Sequence, residues 1–171
     1  MKLLIAIAPE RFRDEELDVP RRAFLEAGID VDIASTVTGR CRGMLGGTAA
    51  ASLTFDDVNP DDYAGIVLVG GSGSPDYLWG NRKLQSLVRA FFEQGKVVAA
   101  ICLSPVVLAR AGILAGRQAT VYPSPDAIRE MKKAGANLVS VPVVADRQVV
   151  TANGPEAAAQ FADAVISKLE C

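Results

Sequence analysis

The 171-residue sequence contains no histidine. A Cys–His or Ser–His dyad is therefore excluded within the chain, and identical copies cannot supply one to each other. Cysteine is scarce as well. Cys41, Cys102 and Cys171 are far apart and odd in number, which argues against a disulfide framework or a metal site and for reduced thiols in a cytoplasmic protein. No apolar segment approaches the ~20 residues of a membrane span. The opening run, MKLLIAIAPE, is too short for a secretory signal and is broken by Glu10 and Arg11, so it reads as a first strand. A basic block is also missing. The net charge is −2, and Arg40 and Arg42 alone look like a solvated turn, so nucleic acid is not expected as a partner.

What is present is an ordinary globular composition, half apolar and 22% charged, of a length suited to one domain spanning 1–171. Strand and helix signals alternate. KLLIAIA (2–8), VDIAS (31–35), AGIVLVGG (from 64), KVVAAIC (96–102) and ATVY (119–122) read as strands. Helical spacing marks 14–27, 81–94, 104–111, 125–134 and 155–169, with Gly28, Gly95, Gly112 and Gly135 as helix stops. The Gly-rich stretch 39–55 reads as a loop or short antiparallel strands, and LVSVPVVADRQVVTA as a hairpin turning at Asp146–Arg147. Near-continuous apolar strands separated by helices predict an α/β fold, a mostly parallel sheet with helices on both faces.

In such sheets ligands bind beyond the carboxyl ends of the strands. Three ends carry unusual residues: APERFRDEEL after the first strand, GGSGSPDY after the third and Cys102-Leu103-Ser104-Pro105 after the fourth. The glycines at 70, 71 and 73 fit neither a Walker motif nor a dinucleotide fingerprint. Paired glycines at a strand end do allow amide groups to approach a substrate and serve as oxyanion donors. Cys102 sits where a sharp strand-to-helix turn would hold a nucleophile clear of the sheet, with the amide of Leu103 beside it. The following helix would direct the positive end of its dipole at the sulfur. Cys41 and Cys171 read as bystanders, and Ser104 as a cap of the elbow helix.

VLVGG (67–71), VVAAICLSPVVLARAGILAGRQATVYPSP (97–125) and VVTANGP (149–155) resemble the ThiJ/PfpI superfamily over essentially the whole chain. The resemblance implies a flavodoxin-like three-layer sandwich of the class I glutamine amidotransferase kind, usually homodimeric or a higher homo-oligomer. It also implies a nucleophilic Cys102, with Gly70, Gly71 and Leu103 as candidate oxyanion donors, and no cofactor or metal.

The sequence departs from the family at the residues that would assist the cysteine. Leu103 stands where PfpI-type members have histidine. Aligning RFRDEEL on its phenylalanine and Asp-x-Glu-Leu puts Arg13 where a sulfur-contacting glutamate is expected, with Glu15 as the alternative. Glu16 is left to cap or orient the first helix, and Asn153 replaces a frequent arginine. Arg13 and the helix dipole would then lower the Cys102 pKa below the free-thiol value of ~8.5, the alternative being a surface ion pair of Arg13 with Asp14, Glu15 or Glu16. Tyr122 and Tyr77, near the same strand ends, could donate protons, although tyrosine there more often serves packing.

The expected protein is one with a reactive elbow cysteine that acts on or senses small electrophiles or oxidants. Its partner is a small molecule, and a His-dependent protease is disfavoured. The alternatives are a non-catalytic, ligand-binding dimer and a divergent hydrolase or glyoxalase-like lyase.

Overall fold

The computed structural model describes residues 1–170; Cys171 lies outside them. In chain order the elements are β1 (Lys2–Ala6), β2 (Glu10–Phe12), α1 (Asp14–Glu26), β3 (Asp30–Ser35), β4 (Gly39–Gly43), β5 (Thr48–Ala51) and β6 (Leu53–Thr54). There follow β7 (Gly65–Leu68), α2 (Ser74–Tyr77), α3 (Arg82–Glu93), β8 (Val97–Ile101) and α4 (Pro105–Arg110). The chain closes with β9 (Gln118–Ala119), α5 (Pro125–Lys133), β10 (Asn137–Leu138), β11 (Val143–Asp146), β12 (Val149–Ala152) and α6 (Ala158–Leu169). Among the described residues no helix is long and apolar enough to cross a membrane.

Seven strands form the central sheet in the order β11-β12-β8-β7-β1-β3-β6. All neighbours are parallel except β11 and β12, which pair antiparallel through the expected turn, where Arg147 takes a positive φ of 56°. This is the flavodoxin-like α/β arrangement. β1 has β3 on one side and β7 on the other, so strand order reverses at β1 and opens a crevice at its carboxyl end.

The side-chain period of two explains why the strands read as continuous apolar runs. Leu4, Ala6, Ile66, Leu68, Val98 and Ala100 enter one core with Leu84, Leu87, Phe91 and Met131 from α3 and α5. Leu3, Ile5, Val67, Ala99 and Ile101 enter the other with Leu17, Phe24, Phe161 and Val165 from α1 and α6. Both faces of β1, β7 and β8 are thus buried.

One expectation shifts and one alternative is resolved. ATVY was expected to be strand throughout, yet β9 keeps only Gln118–Ala119. Beyond it, the Thr120 amide donates to Thr151 Oγ1 (3.0 Å) and the Tyr122 amide to the Cys102 carbonyl (2.8 Å), so these residues support the elbow instead of pairing with a strand. The Gly-rich stretch does form short strands: β4 and β5 are an antiparallel hairpin that joins β2 in a second, three-stranded sheet.

Candidate active site

β8 ends at Ile101, and Cys102 turns the chain with a φ of 65°, which costs a non-glycine residue roughly 1–2 kcal/mol. Surrounding bonds hold it there. The Cys102 amide donates to the Ala152 carbonyl (2.8 Å), and the Cys102 carbonyl accepts from Tyr122 (2.8 Å). Trp79 Nε1 fixes the next peptide by donating to the Leu103 carbonyl (2.8 Å). Ser104 does not cap its helix with its side chain. Its hydroxyl donates to the Val69 carbonyl (2.7 Å) and lies 2.8 Å from Ser74 Oγ. One hydroxyl has one proton to give, so Ser74 is the donor in that pair. The buried chain Ser74–Ser104–Val69 ties the elbow to the end of β7.

The segment after β1 is stitched to the glycines after β7. The Arg13 amide donates to the Gly70 carbonyl and the Gly73 amide to the Arg11 carbonyl, both at 2.9 Å. Gly71, at φ 112°, has no room for a side chain: a Cβ would lie 2.5 Å from the Arg11 carbonyl oxygen. α1 then starts with Asp14, Glu15 and Glu16 in its first turn, where carboxylates suit the helix dipole.

This construction delivers Glu16, and not Arg13, to the sulfur. Glu16 is fully buried. Its Oε1 accepts from the Gly70 amide (3.0 Å), and its carboxyl is in hydrogen-bonding reach of Cys102. Oε2 has no hydrogen-bond partner among the described residues. The reading of Glu16 as a mere helix-orienting residue, and of the sulfur-contacting glutamate as lost, is corrected here. Arg13 pairs with Glu15 instead, its Nε 3.0 Å from Oε1 and its Nη2 2.9 Å from Oε2. Glu15 is therefore turned to the arginine, although Arg13 stays close enough to act electrostatically on both Glu16 and Cys102.

The electrostatics also depart from expectation. Burial, opposed by its hydrogen bonds to Cys102 and Gly70, pushes the Glu16 carboxyl up to about 7. The Cys102 thiol was expected to be lowered by Arg13 and the helix. Burial first, and the adjoining Glu16 second, push it up to about 12, although the Gly71 and Leu103 amides favour the thiolate. With Glu16 beside it, the sulfur proton has a neighbouring acceptor, and the two groups titrate as a unit.

Of the expected oxyanion donors, Gly71 and Leu103 do direct their amides at the sulfur, while the Gly70 amide is taken by Glu16. Gly70 is needed for its missing side chain: a Cβ there would meet Cys102 Cβ and the Ile101 carbonyl at 2.6 Å and Glu16 Oε1 at 2.7 Å. Above the sulfur lies a pocket of about 350 Å³, walled by Arg13, Leu103 and Tyr122 from the sequence-derived set. Met44, Ser72 and Pro155 also line it, and the sequence reading passed over these. Met44 comes from the β4–β5 turn and its sulfur accepts from the Ser72 amide (3.3 Å). Tyr77 lies elsewhere, under the Arg11 guanidinium, and Cys41 is fully buried in the core.

Comparisons with known proteins agree with this architecture. A model of the DJ-1/PfpI family matches residues 1–168. An uncharacterized protein of Methanocaldococcus jannaschii is 54% identical over 169 residues, covering 99% of this chain and 82% of that one. A deglycase of Pyrococcus horikoshii is 40% identical over 156 residues, 91% of each chain. The crystal structure of a ThiJ/PfpI domain protein from Brachyspira murdochii, 32% identical, superposes with a TM-score of 0.95 over 99% of this chain and 96% of that one. With the family model, the relatives and the strand order in agreement, the chain belongs to the DJ-1/PfpI family.

Proposed function

We propose that this protein is a cysteine-dependent enzyme acting on small reactive carbonyl compounds or on the adducts they leave on other molecules, the deglycase class by which one of its relatives is named. The observation that supports this reading is the Glu16 carboxyl, raised to about 7 beside Cys102 at the elbow. A general base works best when its pKa lies near the working pH, and this carboxyl takes the place of the absent histidine. As the sulfur attacks a carbonyl carbon, the C–S bond forms and the π pair moves to oxygen. The thiol proton passes to Glu16, which then returns it to the new alkoxide, giving a hemithioacetal. A hemiaminal adduct enters the same step once its C–N bond breaks, the C=O re-forming and the hydroxyl proton going to the departing amine. The Gly71 and Leu103 amides are placed to stabilise negative charge through that sequence.

The same two amides support a second reading, in which Cys102 senses peroxide: sulfur is oxidised to sulfenate, peroxide is reduced to water, and the amides hold the resulting anion. A homodimeric or larger assembly acting in the cytoplasm completes the proposal.

The test is release of free amine from a methylglyoxal-modified amino acid, with Cys102→Ser and Glu16→Gln as controls. Turnover by wild type that both variants abolish supports the enzyme. No turnover, with stoichiometric oxidation of Cys102 by peroxide, transfers the assignment to the sensor. Neither activity leaves a ligand-binding family member.

A further inference from the structure

Among the residues lining the Cys102 pocket, Arg13 carries the charge. Its Nε and Nη2 are spent on Glu15, an arrangement that fixes the plane of the guanidinium without filling it. Nη1 has no bonded partner among the described residues, and neither does the Tyr122 hydroxyl on the wall of the same pocket. Met44, Leu103 and Pro155 supply the apolar remainder. A neutral, fully apolar substrate would leave the free Nη1 of Arg13 without an acceptor, whereas a carboxylate would find a charged donor and a hydroxyl donor beside the sulfur. The carboxyls that oppose such a guest are Glu15, already engaged with Arg13, and Glu16, which shares its proton with Cys102.

We propose that Arg13, with Tyr122, forms an anion subsite by which the pocket selects small carbonyl compounds bearing an adjacent carboxylate, 2-oxo acids of glyoxylate size, over neutral carbonyls. The carbonyl half of this inference rests on the proposed function; the anion half rests on Arg13. In the step itself, Cys102 Sγ bonds to the aldehyde carbon, the C=O π pair becomes an alkoxide, and the thiol proton reaches that oxygen by way of Glu16. The carboxylate stays paired to Arg13, and nothing is oxidised or reduced.

The test compares alkylation of Cys102 by iodoacetate and by iodoacetamide, near-isosteres that differ in charge, read at that cysteine by peptide mass mapping. The iodoacetate-to-iodoacetamide rate ratio is expected to exceed that of free N-acetylcysteine about tenfold, the worth of one charge-assisted hydrogen bond, and to fall to the free-thiol ratio in Arg13→Gln. A wild-type ratio equal to that of the free thiol, or one that Arg13→Gln leaves unchanged, overturns the subsite. Calorimetric titration of glyoxylate into Cys102→Ser repeats the test without a reactive thiol. Binding that Arg13→Gln abolishes supports the subsite, and absent binding overturns it. Alkylation requires neither a carbonyl nor turnover. A retained charge preference without release of amine from the methylglyoxal-modified amino acid therefore overturns the enzymatic reading and leaves the subsite standing.

Discussion

Glu16 reaches Cys102 across the strand-order reversal: the carboxyl comes from the helix that follows β1, the sulfur from the end of β8, and Gly70 at the end of β7 donates to the carboxyl between them. Both groups are buried and both are pushed upward, Glu16 to about 7 and the thiol to about 12. In the mechanism proposed above, the sulfur becomes nucleophilic by handing its proton to this neighbour as it attacks, without charge leaving the pocket.

Alkylation of wild-type Cys102 by iodoacetamide is accordingly expected to rise with pH through a midpoint near 7, set by the pair. In Glu16→Gln the thiol loses its proton acceptor. The midpoint should move upward by at least about one pH unit, and the rate at pH 7 should fall tenfold or more. Arg13→Gln should move it far less, because that guanidinium is partly compensated by Glu15. Identical profiles for wild type and Glu16→Gln would remove Glu16 from the mechanism.

The sheet was legible because its central strands β1, β7 and β8 are buried on both faces, so apolar runs and glycine stops marked those elements directly. The elbow was legible for the same reason: a cysteine closing such a run has one place to be. The choice among Arg13, Glu15 and Glu16 went wrong because it was made by matching letters in RFRDEEL. Helical phase contained the answer. Glu16, Pro20 and Phe24 follow at intervals of four and all three are buried, which places Glu16 on the inward face of α1. Met44 had no such signal. It reaches the pocket through the pairing of β2 with the β4–β5 hairpin, a long-range contact that no local pattern announces, whereas Ser72 arrives simply as the neighbour of Gly71.

Stability should record the buried carboxyl. Below its ordinary pKa of 4.5, Glu16 is protonated whether the chain is folded or not. Between 4.5 and about 7 the folded protein retains a proton that the unfolded chain has released, so the contribution of Glu16 to stability falls as pH rises through this window and is level above it. The loss is up to about 3 kcal/mol. Glu15, Asp32, Glu130 and Asp146 are shifted downward and titrate below the window. Urea midpoints of wild type and Glu16→Gln should therefore diverge steadily from pH 4.5 to 7, the variant becoming relatively more stable. Parallel curves would contradict the raised carboxyl.

The backbone at Cys102 gives an independent check on strain. At φ 65° an alanine suffers the same steric cost as cysteine, while glycine does not. Cys102→Gly should be at least as stable as Cys102→Ala in thermal unfolding, against the usual order, in which glycine costs roughly 0.5–1 kcal/mol more. An alanine variant clearly more stable than the glycine variant would show that the elbow has relaxed once the sulfur is gone.

Asp14 offers the last prediction, because it holds the turn that carries Met44. Its nearly buried carboxylate accepts from the amides of Leu45 (3.0 Å) and Gly47 (2.8 Å). Gly43 and Gly47 leave it the space: a Cβ on either would strike the carboxylate. Asp14→Ala removes the acceptor from both amides and should cost about 1–3 kcal/mol. Asp14→Asn keeps a single acceptor oxygen and should fall between. Neither change touches Glu16 or Cys102, so the expected kinetic effect is a raised KM with kcat nearly intact, as the Met44 wall loosens. Hydrogen exchange at Leu45 and Gly47 should accelerate in parallel. Faster exchange with an unchanged KM would mean that the turn is latched by Asp14 but does not shape the pocket, whereas a loss confined to kcat would place Asp14 in the chemistry itself.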